Sequence, residues 1–153
     1  MSASVTFVPV DFEREDLMER LAASGFDAAA PAFCSWLGVL PYVTREAAEG
    51  TLRALGSLPR GSGIAFDYAV ARSSLSAMQQ AAFDWLAERV ARAGEPFRLG
   101  FEPAELRELL TGFGFTRVED LDVEEINTRY FAGRSDRLMV RGGLGRLACA
   151  WRE

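Results

Sequence analysis

The sequence predicts an α/β sandwich: a parallel sheet covered by helices on both faces and closed by an antiparallel hairpin near the C-terminus. Three observations predict it. Short β-rich runs alternate with helical periodicities in the order β α β α β α α β β, with no internal repeat and no low-complexity linker. One central run, Ala32 to Leu37, is apolar on both parities, as a strand buried on both faces requires. The last run instead alternates Leu147, Cys149 and Trp151 against Arg146, Ala148, Ala150 and Arg152. That suits a half-exposed antiparallel strand at or near a sheet edge.

Taken in order, Val5 to Val10 (VTFVPV) is the first strand and ends at Asp11-Phe12. Glu13 to Ser24 is helical, with Leu17, Leu21 and Met18 toward the inside, and Gly25 stops it. Ala32 to Val43 (AFCSWLGVLPYV) is a strand punctuated by Gly38 and Pro41, with Thr44 as cap for a helix opening at Arg45. That helix repeats Ala48, Leu52, Leu55 and Leu58, and the turn Pro59 to Gly63 follows it. Ile64 to Tyr68 is a short strand. Ser74 to Ala93 is a longer helix whose stripe Met78, Ala82, Leu86, Val90 reads as core, with a lid over a bound molecule as an added role. Pro103 opens the next helix, whose inner stripe is Leu106, Leu109, Leu110 and Phe113. Phe115 to Leu121 is a strand, Asp122 to Arg141 is irregular, and Arg146 to Arg152 closes the sheet.

The length of 153 residues suits one domain, 1–153, with a real core. A net charge of −5 without a basic stripe argues against nucleic-acid binding. All 17 basic residues are Arg, and there is no Lys and no His. That absence excludes a Ser-His-Asp or Cys-His triad, a His-ligated metal, a Schiff-base lysine and a P-loop lysine. No metal site is expected. Cys34 and Cys149 lie in apolar stretches and read as reduced core residues of a cytoplasmic protein. No run is long enough to span a membrane, and Met1 opens into no signal-like segment.

Three strands end in polar or aromatic groups at what should be one sheet edge: Asp11-Phe12, Trp36-Leu37-Gly38 and Asp67-Tyr68. Ligands of open α/β sheets bind at that edge. A carboxylate there can accept from an exocyclic amine or a ribose hydroxyl, and an aromatic can pack on a base. Gly38 lets backbone approach a ligand closely. Together they favour a nucleotide-like ligand, whereas singly each acid could merely cap the next helix.

The blocks VTFVPVDFE, FCSWLGVLPYVTREA, GSGIAFDYAV and FGFTRVEDLDVEEINTRYFAGR resemble the C-terminal half of leucine carboxyl methyltransferase-like proteins. These are class I methyltransferases dependent on S-adenosylmethionine (SAM), and many bacterial members are assigned as O-methyltransferases. The resemblance implies a partial doubly wound, Rossmann-like sheet, mostly parallel, with a C-terminal antiparallel hairpin and without the first two βα units. It also implies cofactor contacts. Asp11 would hold the adenine amino group, the Phe12 amide would read the adenine ring, and Trp36, Leu37 and Gly38 would line the methionine side. Many relatives have Glu where this chain has Leu37, so the polar contact of that Glu is lost here. No GxGxxG-like loop follows a strand: Gly61-Ser62-Gly63 precedes one, and Gly142-Gly143-Leu144-Gly145 leads into the last.

Methyl transfer from a sulfonium is an in-line displacement that needs positioning more than acid–base help. Tyr42, Tyr68, Arg129, Tyr130 and Arg134 are the candidates for the acceptor side, with Arg able to clamp a carboxylate. A phenol acceptor would want a base, and Asp67 or Glu102 could serve only if burial raised its pKa. Bland alternatives stand beside these roles. Arg129 and Arg134 could pair with Asp120, Asp122, Glu124 or Glu125, and Trp36 and Tyr42 could serve packing alone. The expected partner is a small-molecule methyl acceptor, with self-association through the strand left bare by the missing first strand. The alternative is a catalytically inactive remnant or a protein-interaction module.

Overall fold

The structure, a computed structural model, describes residues 5–153. Four strands form one mixed sheet in the order β1-β2-β4-β3, with β1 Phe33–Trp36, β2 Gly63–Ala69, β3 Arg117–Leu121 and β4 Gly145–Trp151. β1 and β2 run parallel, while β4 runs antiparallel to both β2 and β3. The helices are α1 Leu17–Ala23, α2 Arg45–Gly56, α3 Ala77–Arg92, α4 Pro103–Gly112 and α5 Val123–Ile126.

The Thr44 cap and the Pro103 start are as expected, whereas α1 begins at Leu17 instead of Glu13, α3 at Ala77 instead of Ser74, and α5 forms in a stretch expected to be irregular, each start set by its own cap. Asp16 accepts from the Glu19 amide and Thr44 from the Ala47 amide, each satisfying an orphan N–H of the first turn. Ser76–Gln79 and Asp122–Glu125 form reciprocal capping boxes for α3 and α5. Pro103 begins α4, where its missing N–H costs nothing.

Register decides what faces what. Trp36, Phe66 and Ala148 are cross-strand neighbours, as are Cys34, Ile64 and Ala150, so these side chains share one face. That face is the core: Ile64, Phe66, Ala148 and Ala150 are wholly buried together with Leu52 of α2 and Leu110 of α4. Alanines on β4 leave room for the Phe66 ring and the helices to close over the sheet.

Several expectations are corrected. Val5–Val10 forms no strand, and Phe7 is 91% exposed. A strand needs a neighbour for its backbone groups, and none of the described residues provides one. The sheet is mixed, with a single parallel pair, and not mostly parallel. β4 lies inside the sheet and β3 is the edge, so the buried side of β4 is its alanines; Leu147, Cys149 and Trp151 occupy the other, half-buried face. Cys149 is therefore not a core residue, and both cysteines are free. Helices do not cover both faces. The second is covered near Leu121 and Leu147 by α5, and the Arg117 guanidinium lies 4.5 Å from the Trp151 ring, while Phe33 on β1 is 61% exposed. The α3 stripe is not core either: no residue of α3 is buried, and Met78 points to solvent. Among the described residues, no helix is long and apolar enough to cross a membrane.

Candidate functional site

The carboxyl ends of β1 and β2 lie side by side because the two strands are parallel, with Trp36 opposite Phe66. Past Trp36 the chain turns through Leu37 and Gly38 into a single 3₁₀ turn, Leu40–Tyr42. Gly38 sits at φ +70°, and a Cβ built on it would meet open space, so the turn needs glycine for its backbone and not for crowding. The Gly38 amide donates to Asp67 Oδ1 at 2.6 Å, tying the exit of β1 to the exit of β2. No hydrogen bond among the described residues engages Asp67 Oδ2.

Phe12 packs on Trp36 with ring centroids 5.6 Å apart, bringing the segment after Val10 to the same edge. Asp11 shapes that segment: its Oδ1 accepts the Glu13 amide, its carbonyl accepts the Arg14 and Glu15 amides, and its side chain stays half exposed. The Phe12 amide has no acceptor among the described residues. Glu13 Oε1 accepts from the Thr44 amide at 3.2 Å and from Arg98 at 2.6 Å, linking this segment to the start of α2. Trp36 is 7% exposed, and its indole N–H is buried without an acceptor. Leu37, in contrast, is 55% exposed.

Beside this turn lies a cavity of about 240 Å³. Pro41, Tyr42, Phe83, Leu86, Phe97 and Leu144 supply its apolar wall, and Asp67 stands in the wall beside Gly38. An aromatic ladder holds α3 over it: Phe83 to Phe97 at 5.8 Å and Phe97 to Tyr42 at 5.7 Å. A bidentate pair, Arg72 to Asp84 at 2.7 and 2.8 Å, fixes the outer side of the same helix. α3 thus caps the cavity, while its buried area is too small to make it part of the core. A more open cleft of about 600 Å³ shares Gly38 and Tyr42 and includes Arg98.

The candidates separate. Asp11, Phe12, Trp36, Leu37, Gly38, Tyr42 and Tyr68 gather at this edge. Tyr68 borders the cavity and is 1% exposed, and its hydroxyl donates to Asp120 Oδ2 at 3.0 Å. Arg146 Nε donates to the other oxygen of Asp120 at 2.9 Å. Burial, and then the neighbouring Asp120 charge, holds the Tyr68 phenol well above its ordinary pKa. Arg129, Tyr130 and Arg134 line neither the cavity nor the cleft. Arg129 pairs with Glu119 and Arg134 with Asp136, neither being an acid expected from the sequence, and Tyr130 is exposed. Glu102 accepts from Ser73.

Phe83, Phe97 and the Glu13–Arg98 tie escape sequence reasoning. Phe83 falls outside the four-residue stripe of its helix, and Phe97 sits in a loop with no periodicity to read.

Residues 1–56, which contain Asp11, Phe12, Trp36, Gly38 and Tyr42, match the family model described as leucine carboxyl methyltransferase. Over 133 residues the chain is 34% identical to "Putative S-adenosyl-L-methionine-dependent methyltransferase YktD" of Bacillus subtilis (strain 168), covering 86% of this chain and 43% of that protein. The chain therefore spans less than half the length of the curated relative it matches. A structure described as "a putative methyltransferase from Thermobifida fusca YX" superposes with a TM-score of 0.55 at 18% identity, over 93% of this chain and 49% of that one. Human N-acetylserotonin methyltransferase in complex with SAM gives 0.51 at 13% identity, over 94% and 32%. At such identities the two structures speak for the fold alone, an α/β methyltransferase-like arrangement.

Proposed function

We propose that this chain, a relative of the leucine carboxyl methyltransferase-like, SAM-dependent methyltransferases, lines the adenine and methionine sides of a SAM site and one wall of a methyl-acceptor cavity. The reaction is methyl transfer to an oxygen, carboxylate or hydroxyl, of a small molecule. The observation that supports it best is the Phe12–Trp36 contact beside the Asp67-bound Gly38 amide. It brings two segments far apart in sequence to one edge, next to an apolar cavity.

The residues at this edge suit the cofactor. The Phe12 amide is free to donate to a ring nitrogen, and the half-exposed Asp11 carboxylate can accept from an exocyclic amine. Gly38 leaves open space where a Cβ would stand. In this reading Asp11 and Phe12 hold adenine, and Trp36, Leu37 and Gly38 border the methionine side. When bound, SAM supplies a methyl group on a sulfonium, an electrophile that needs alignment with the acceptor and little proton traffic. Tyr42 and Tyr68 then belong to the acceptor wall. The 153 residues hold no glycine-rich loop after a strand, so the isolated chain is expected to bind weakly and to be a poor catalyst.

A second reading has its own observation. The outer edge of β1 has no neighbour among the described residues, and Phe33 stands exposed beside it. Such an edge is a template for another strand. This favours self-association, or a module whose work is protein binding. Titration with S-adenosylhomocysteine (SAH), followed by backbone amide NMR, separates the readings. Saturable shifts of the Phe12 and Gly38 amides together are expected, and folded protein without any shift would remove the cofactor reading.

A further inference from the structure

Resting on the methyltransferase reading, we infer that the cavity under α3 selects a small acceptor with an apolar body and an uncharged hydroxyl, and turns away carboxylates, with Asp67 as the residue that sorts them. The wall is apolar over most of its extent, through Pro41, Tyr42, Phe83, Leu86, Phe97 and Leu144. The polar side-chain groups are few: the Asp67 carboxylate and the hydroxyls of Tyr68 and Tyr42, the last without a hydrogen bond among the described residues. The Tyr68 hydroxyl is spent on Asp120. Asp67 Oδ1 is spent on the Gly38 amide, and Oδ2 remains as an acceptor.

Charge decides between acceptor classes. No Arg is part of the cavity wall. Arg98, in the adjoining cleft, is held by Glu13 at 2.6 Å, and Arg146, behind Tyr68, is held by Asp120 at 2.9 Å. A carboxylate entering the cavity would surrender water, find no cation and face the Asp67 carboxylate. Like charges in a partly dehydrated site repel, and the Tyr42 hydroxyl offers a carboxylate one neutral donor and no cation. A hydroxyl has the opposite balance: its O–H donates to Oδ2 while its carbon body covers the aromatic ladder. The arrangement is the reverse of an arginine clamp.

The test is binding, read by backbone amide NMR on the whole chain without cofactor, using a naphthol and the naphthoate of the same ring position at neutral pH. The expected result is that naphthol shifts the Gly38, Leu144 and Gly145 amides saturably, with the naphthoate weaker by about tenfold or more. Asp67→Asn keeps an oxygen for the Gly38 amide and puts an N–H donor in place of Oδ2, so the discrimination should collapse. Leu86→Arg, on a helix with no buried residue, should fold and should favour naphthoate. Equal or tighter naphthoate binding by the wild type, no shift with either probe, or an unchanged ratio in the variants would overturn the inference. SAH titration of the same sample keeps the two claims apart. Hydroxyl preference without SAH binding removes the methyltransferase reading and leaves the selectivity standing. SAH binding with carboxylate preference removes only the selectivity.

Discussion

Tyr68→Phe deletes one hydroxyl from the sheet interior and leaves the ring in place. The side chain is 1% exposed, and its O–H donates to an Asp120 carboxylate that is itself 8% exposed and shared with Arg146. A buried hydrogen bond to a charged acceptor contributes about 1.5–3 kcal/mol net, and Asp120 keeps Arg146 after the change, so a loss of about 2 kcal/mol is expected. With a urea m-value of about 2 kcal/mol/M, the unfolding midpoint should fall by about 1 M. Asp120→Ala should cost more, about 3–5 kcal/mol, because it strands both the phenol and a three-quarters-buried guanidinium. The pH dependence has a definite sign. The folded phenol titrates above the ordinary tyrosine value of 10.0, so its stabilisation is complete below that pH and drains away as pH rises above it. The wild type should lose stability in that window at up to about 1.4 kcal/mol per pH unit more steeply than Tyr68→Phe. Denaturant unfolding followed by tryptophan fluorescence at neutral and alkaline pH measures both effects. A neutral loss below about 0.5 kcal/mol, or parallel alkaline limbs, would refute the network.

Two further outcomes follow from packing. Gly56→Ala should destabilise by about 1–3 kcal/mol in thermal or urea unfolding, because the new Cβ would run into the Phe113 carbonyl where α2 meets the end of α4. An unchanged midpoint would mean the two helices are not that close. At the open edge, sedimentation velocity should show concentration-dependent association of the wild type, relieved by Phe33→Lys. A wild type that stays monomeric at high concentration contradicts that use of β1.

The order of elements was legible because period and punctuation are local properties. Leu52 and Leu55 on α2, the Thr44 cap and the Gly38 break all appear where spacing put them. What escaped was whatever depends on neighbours. VTFVPV has strand chemistry and no partner strand among the described residues, so it forms no strand. The alternation on β4 showed two faces without saying which was inner, and the bulkier residues turned out to lie on the less covered one. The same holds for the site. Trp36, Gly38 and Asp67 could be read as strand-end groups, whereas Asp11 and Phe12 reach the same edge with no strand before them. The partners of Arg129 and Arg134 could not, since Glu119 and Asp136 are chosen by tertiary geometry. The cap over the cavity depends on Phe97, in a loop where no period operates.

In the proposed function, Asp11, Phe12 and the Trp36–Gly38 turn hold a SAM-like ligand. Calorimetric titration of the whole chain with SAH, wild type beside Asp11→Ala, measures this binding. Saturable one-to-one heat is expected, weakened about tenfold or more in the variant by loss of one charge-assisted hydrogen bond. A flat titration on folded wild type, or binding that Asp11→Ala leaves unchanged, would contradict it.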